Sequence, residues 1–95
     1  MGEIRRLVLD TLKPLEPTII EMADELSDLG GIAAVNISIY EIDRKVENAK
    51  ITIEGENISY PRVLDRIQEL GGTIHSIDEV VAGSKIIDDS ATLQD

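Results

Sequence analysis

The chain has 95 residues and a formal net charge of −10, because 19 acidic residues outnumber nine basic ones. This charge argues against a nucleic-acid partner, whose phosphates would be repelled, and the lack of cysteine excludes disulfides and thiolate metal sites. No segment approaches the ~20 apolar residues that a membrane span needs, so we expect one cytoplasmic domain with a modest aliphatic core and no membrane partner.

The first predicted strand covers residues 4–12, where aliphatic side chains alternate with charged ones. After it, Pro17 is expected in the first turn of a helix, where the missing N–H of proline costs nothing. Apolar residues then recur at helical spacing as far as Leu29. We expect Gly30 and Gly31 to end this helix as a left-handed cap.

Two alternating runs, residues 33–42 and 49–54, predict a pair of strands. The polar residues Asp43, Arg44 and Lys45 lie between them and suit a turn. Together these features predict a β-hairpin.

The last two predicted elements are a helix and a strand. Ser59 is expected to cap the helix, with Pro61 in its first turn. The helix should end at Gly71 and Gly72, and residues 74–81 should form the final strand.

The order β-α-β-β-α-β, with two halves that echo each other in ELSDLGGIAAVNI and RIQELGGTIHSID, indicates a split β-α-β pair. Right-handed crossovers then give an α+β, ferredoxin-like fold. Its four-stranded antiparallel sheet has the order 4-1-3-2 and both helices on one face. We assign this domain to residues 1–83 and a C-terminal tail, packed in an oligomer or partly disordered, to residues 84–95.

The sheet face away from the helices, called the outer face below, is the first candidate site. It should carry Arg6, Asp10, Tyr40 and Lys50, with Arg6 opposite Glu54 and Asp10 opposite Lys50 as cross-strand pairs. One reading is a salt-bridged face that is solvated or packs on a neighbouring subunit. The other is the floor of a ligand site formed by those four residues.

Two acidic clusters are candidate divalent-cation sites. Asp43 and Glu47 flank the hairpin turn, and Asp78 and Glu79 lie on the last strand. Carboxylate oxygens are the ligands that calcium and magnesium prefer, although turn chemistry alone also explains an aspartate in a hairpin.

His75, the chain's one histidine, precedes Asp78 and Glu79. On a regular strand, residues 75 and 79 share a face and residue 78 points away, so the three converge only across a bulge. The odd spacing of Ile74 and Ile77 predicts such a bulge. A strand or interface histidine is the alternative to a functional one.

No phosphate-binding glycine loop precedes a helix, and no serine is marked as a nucleophile, so we predict no enzymatic activity and no required cofactor. A hydrolase or isomerase that uses His75 with Asp78 is the weakest alternative. Activity that survives His75→Ala would contradict it.

Three stretches resemble a known family: LVLDTLKPLEP, EIDRKVENAKITIEG and GGTIHSIDEVVAG. Together with the rest of the chain they are similar to the archaeal family called domain of unknown function 211. The resemblance implies a ferredoxin-like fold and a tendency to form ring-like oligomers, and it supplies no catalytic residue. Leu15 stands where the resemblance leads us to expect a histidine.

We therefore expect a non-enzymatic protein whose partner is itself, assembled through edge strands, the outer face and the tail. Ile86 and Ile87 beside acidic residues favour burial of the tail against another copy. The alternative is a regulatory module that binds calcium, magnesium or a small polar metabolite. Such a module would melt at a higher temperature when calcium or magnesium is added.

Overall fold

The computed structural model describes residues 2–87. Within that range the elements are β1 (Ile4–Pro14), α1 (Ile19–Ser27), β2 (Ile32–Ile42), β3 (Val46–Gly55), α2 (Tyr60–Glu69) and β4 (Thr73–Ala82). This order confirms the predicted β-α-β-β-α-β succession. Of the predicted tail, residues 84–87 are described and residues 88–95 lie outside the described part.

The strands form one antiparallel sheet in the order β2-β3-β1-β4. Read from the other side, this is the predicted order 4-1-3-2, and the arrangement is consistent with a ferredoxin-like fold. β1 and β3 lie in the centre, and β2 and β4 form the edges of the described sheet.

The core lies between one face of the sheet and the helices. The alternation of the strands places aliphatic residues on that face, as predicted, and the apolar stripes of the helices pack on them. The buried cluster consists of Leu7, Leu9, Met22, Leu26, Ile51, Ile53, Ile58, Val63 and Ile67. Because α1 and α2 both contribute to this cluster, both cover the same face of the sheet.

The start of α1 differs from the prediction. Thr18 is the N-cap, so Pro17 precedes the helix and does not occupy its first turn. The Thr18 hydroxyl accepts from the Glu21 N–H at 3.2 Å, and the Glu21 carboxylate accepts from the Thr18 N–H at 2.9 Å. This reciprocal capping box fixes where the helix begins.

The two double glycines do not play the same role. Gly71 follows the C-cap Leu70 of α2 with φ +89°, as predicted for a left-handed cap. At the end of α1 the C-cap is Asp28, so the helix ends before Gly30, and the predicted glycine cap there is wrong. Gly31, with φ +87°, instead turns the chain into β2.

An irregularity in β2 reverses the direction of Ile42. The β2–β3 register shifts between Ile39 and Glu41, after which Ile42 pairs with Glu47. Glu47 also pairs with Lys13, which has the same parity as the core residues of β1. Ile42 therefore faces the helix side of the sheet, and its predicted place on the outer face is wrong.

Neither helix within residues 2–87 is long and apolar enough to cross a membrane. α1 has nine residues and α2 has ten, about half of the ~20 that a bilayer requires.

Candidate functional site

Arg6 links three strands on the outer face. Its Nε donates to Glu54 of β3 at 2.8 Å, and one terminal nitrogen donates to Glu79 of β4 at 3.2 Å. The predicted Arg6–Glu54 pair is thereby confirmed. Only 15% of the Arg6 side chain is exposed, so these ion pairs are less screened than pairs on an open surface.

Asp10 and Lys50 face each other in the β1–β3 register, as predicted, but their side chains do not form the predicted ion pair. Asp10 instead accepts a hydrogen bond from the Tyr40 hydroxyl. Tyr40 lies at the irregularity of β2, between Ile39 and Glu41. None of the ion pairs recorded among residues 2–87 involves Lys50.

The Asp10 carboxylate raises the pKa of the Tyr40 phenol above its ordinary value. The main cause is the hydrogen bond, because ionised Tyr40 could no longer donate it and would place a second negative charge beside Asp10. Desolvation and the charge of Glu41 act in the same direction, and a hydrogen bond with Asn48 opposes them. Tyr40 is therefore held as a neutral donor.

Substitution Asp10→Asn is expected to lower the pKa of Tyr40 toward that of a free phenol. The raised pKa also means that this hydrogen bond stabilises the fold below about pH 10 and that its contribution is lost as pH rises through the folded-state pKa. Ultraviolet titration would measure the pKa in a Tyr60→Phe background, where Tyr40 is the one phenol, and denaturant unfolding on either side of pH 10 would measure the contribution to stability. An unchanged titration midpoint after Asp10→Asn would contradict the Asp10–Tyr40 contact.

A groove of about 530 Å³ lies on the outer face over β2 and β3. Its lining consists of Ala34, Val35, Asn36, Ser38, Lys50, Thr52 and Glu54. The volume falls within the range of small-molecule sites. Of the four residues predicted as a ligand floor, the groove includes Lys50, whereas Arg6, Asp10 and Tyr40 lie outside its lining.

The predicted hairpin cation ligands are placed apart. Glu47 lies on the helix side and pairs with Lys13 at 2.7 Å. Asp43 lies in the turn, where it accepts from the backbone N–H of Arg44. Within residues 2–87, no group of three or more histidine and acidic residues is arranged to hold a metal ion. The cation site stays a prediction without a contact in its favour.

The second predicted pair of cation ligands has protein partners as well. Asp78 accepts from the Ser76 hydroxyl at 2.7 Å, and Glu79 pairs with Arg6. The exposed His75 forms none of the ion pairs described for the chain between residues 2 and 87.

The bulge predicted between Ile74 and Ile77 is confirmed. The β1–β4 register is irregular between Asp10 and Thr11, so that β4 advances from Ser76 to Ile74 while β1 advances by one residue. His75 lies at this irregularity, and Asp78 lies at another one.

A buried ion pair between Lys13 and Glu47 is the feature that the sequence analysis missed. The Lys13 ammonium donates to Glu47 at 2.7 Å and to the Pro14 carbonyl at 2.6 Å, and Lys13 is 0% exposed. The alternation of β1 could have revealed it: once the strand is extended to Pro14, Lys13 lies on the same face as Leu7 and Leu9, which is the helix side. The predicted strand, residues 4–12, ends one residue before Lys13.

Comparison with known proteins places the chain in a family. The model of the uncharacterized ArCR family, domain of unknown function 211, matches residues 5–95. The chain belongs to this family. It is also 57% identical over 95 residues to an uncharacterized protein of Methanocaldococcus jannaschii, an alignment that covers 100% of this chain and 98% of the relative. The resemblance seen in the sequence is therefore confirmed.

The two edge strands of this family member expose apolar surface on the helix side of the sheet. On β4, Ile77 is 48% exposed and Val80 is 51% exposed. They pair with Leu9 and Leu7 of β1, which face the helices. β4 therefore projects two aliphatic side chains that the helix layer leaves half uncovered.

The edge at β2 offers a groove instead. This groove has a volume of about 450 Å³ and lies between α1 and β2. It is lined by Ile20, Glu21, Ala23, Asp24, Ser27 and Val35. Ile20 is 79% exposed, and the exposed acidic side chains of Glu21 and Asp24 provide charge at the rim of the groove.

Proposed function

We propose that this chain is a non-enzymatic module that assembles with identical copies through its edge strands. The observation that carries the proposal is the edge at β2. This strand has eleven residues, Ile32–Ile42, and contains no lysine, arginine or proline. Monomeric proteins usually protect such an edge with these residues, because its unpaired N–H and C=O groups invite another strand.

Exposed aliphatic side chains support the same proposal. Ile77 and Val80 on β4 are about half exposed, and Ile86 and Ile87 beyond it are 39% and 64% exposed. Singly, exposed apolar residues are common, but several on and after one edge strand favour an interaction surface.

The net charge of −10 makes identical copies repel one another, but few of the charged residues lie on the edge strands. Glu41 is the one charged residue of β2. On β4, Glu79 is already paired with Arg6. Glu41 and Asp78 are then the edge carboxylates that form none of the ion pairs described for residues 2–87, and salt screens their repulsion between copies.

The alternative function, binding of a divalent cation or a small polar metabolite, has less support. Asp43, Glu47, Asp78 and Glu79 each have a partner within the described chain. The groove that contains Lys50 is the observation that favours a metabolite. This alternative remains a prediction.

Size-exclusion chromatography with light scattering tests the proposed assembly on the full chain. We expect a mass that is a multiple of the chain mass. The variant Asn36→Lys/Ser38→Lys, which adds charge to the exposed β2 edge, is expected to shift the population toward monomer. Asp65→Asn/Glu69→Gln makes the same change in net charge on the exposed side of α2, outside both edge strands, and should leave the mass unchanged. A monomeric wild-type chain would refute the proposal.

A further inference from the structure

We propose that the copies assemble head to tail: β4 of one copy pairs antiparallel with β2 of the next, and Ile77 and Val80 enter the groove between α1 and β2. This inference rests on the proposed self-assembly and specifies its contact. It makes β4 the donor surface and the α1–β2 groove the acceptor surface.

The strand directions permit this pairing. Every neighbour in the order β2-β3-β1-β4 is antiparallel, so β2 and β4 run in opposite directions. When two copies lie side by side in the same orientation, β4 of one meets β2 of the other antiparallel, and the helices of both stay on the same side. The edges match in length, with ten residues in β4 and eleven in β2.

The side chains that would meet on the helix side are complementary. Ile77 and Val80 are half exposed and point to that side. The acceptor groove there has a volume of about 450 Å³, and its lining includes the apolar side chains of Ala23 and Val35. Pairing would therefore bury apolar surface on both copies at once, which is a main driving force for association.

On the outer face of the paired strands, a carboxylate of one copy and an ammonium group of the next would also come close. Asp78 is hydrogen-bonded by Ser76, which pairs with Asp10 on the outer face, so this carboxylate lies away from the acidic rim of the groove. Lys50 lies on β3, next to β2, and none of the ion pairs of residues 2–87 includes it. Two strand spacings, about 9.6 Å, would separate β4 of one copy from β3 of the next. The Lys50 and Asp78 side chains together span that distance.

Each copy would use one donor and one acceptor, so the contact is heterologous. Such contacts continue from copy to copy and end in a closed ring or an open filament. A symmetric contact of β2 with β2, or of β4 with β4, would instead stop at a dimer unless a second contact formed.

Mixing two variants tests the pairing. Ile77→Glu/Val80→Glu disables the donor by facing carboxylates toward the acidic rim, and Ile20→Glu/Ala23→Glu disables the acceptor. We expect each variant alone to be a monomer by light scattering and their equimolar mixture to form a dimer of one copy of each. Circular dichroism and a cooperative thermal transition would establish that each variant is folded. A donor variant that still assembles, or a mixture that stays monomeric, would overturn the head-to-tail contact.

A charge exchange tests the proposed ion pair separately. Lys50→Asp and Asp78→Lys are each expected to weaken assembly about tenfold, and the double variant to recover most of the loss. A double variant no tighter than either single one would overturn the Lys50–Asp78 contact. A monomeric wild-type chain would refute self-assembly itself, whereas an assembled wild type with a failed mixture would refute only the head-to-tail arrangement.

Discussion

The substitution Glu47→Ala is expected to lower the free energy of unfolding by about 3 kcal/mol, the scale for breaking a buried ion pair by removing one partner. Lys13 is 0% exposed in the structure, and without Glu47 its ammonium would keep the Pro14 carbonyl as an acceptor but lose its counter-charge. The cost comes mainly from the buried charge left without a counter-charge.

Chemical denaturation at a fixed protein concentration would measure this loss, since association contributes to apparent stability. Glu25→Ala is a matched control, because Glu25 pairs with Arg66 at 3.0 Å but its side chain is 51% exposed. Exposed pairs contribute about 0–1 kcal/mol, so the control should change little. Equal losses in Glu47→Ala and Glu25→Ala would contradict the special cost of burial.

The double variant Lys13→Met/Glu47→Leu tests whether the loss in Glu47→Ala comes from a buried charge without a partner or from lost packing. Apolar residues of similar volume often replace a buried ion pair with little loss, since no charge then needs compensation. We expect this variant to be more stable than Glu47→Ala. Comparable instability of the two would mean that the packing around residues 13 and 47, and not the charge, dominates.

The Lys13–Glu47 pair bears on assembly because it lies where β1 meets the hairpin. Lys13 and Glu47 face each other across β1 and β3, and Glu47 in turn faces Ile42 near the end of β2. On the outer face, the Tyr40–Asp10 hydrogen bond ties β2 to β1 across β3. These contacts hold one end of the β2 edge from both faces of the sheet, which favours a rigid acceptor for another strand.

Much of this architecture follows from local patterns in the sequence. Alternation placed Leu7, Leu9, Ile51 and Ile53 on the core face, and all of them are buried. Because the split β-α-β topology makes β1 and β3 neighbours, the facing of Arg6 and Glu54 could also be predicted. Strand parity and topology therefore suffice where the strands pair without interruption.

The errors occur where tertiary pairing adds or shifts one residue. Ile42 follows the parity of Tyr40 in the sequence, but the irregularity before Glu41 turns it to the helix side. Such a shift depends on the partner strand, so alternation within one strand does not reveal it. The Thr18–Glu21 capping box differs, since its three-residue spacing is visible in the sequence, although Pro17 alone favours an earlier helix start.

The candidate contact surfaces could be predicted only in part. That β2 and β4 are edges follows from the topology. That Ile77 and Val80 stay half exposed depends on how far the helix layer reaches, and the size of the α1–β2 groove depends on the same packing. The distance between a helix and an edge strand depends on tertiary packing, and the hydrophobic periodicity of the sequence does not predict it.

The second large effect is expected at Gly55, where alanine should cost about 3 kcal/mol, the upper end of ordinary overpacking. A Cβ atom on Gly55 would lie 2.0 Å from the Gly31 carbonyl oxygen and 2.9 Å from the Ile32 Cα. Both are backbone atoms, so no side-chain rotation relieves the overlap. The β2 and β3 backbones would have to separate where β2 begins, at the edge proposed to receive another copy.

Gly30 and Gly31 provide the matched control, because they are adjacent and differ in conformation. Gly31 has φ +87°, and an added Cβ would lie 2.6 Å from the Glu56 carbonyl oxygen, whereas nothing lies within 4 Å of a Cβ on Gly30. Gly31→Ala should therefore be destabilising, and Gly30→Ala should lie within about 0.5 kcal/mol of wild type. Denaturant unfolding of the three alanine variants would measure the loss in the free energy of unfolding. We expect the smallest loss for Gly30→Ala and larger losses for Gly31→Ala and Gly55→Ala. Since all three substitutions add the same methyl group, equal losses would show that the close approach of Gly31 and Gly55 does not constrain the start of β2.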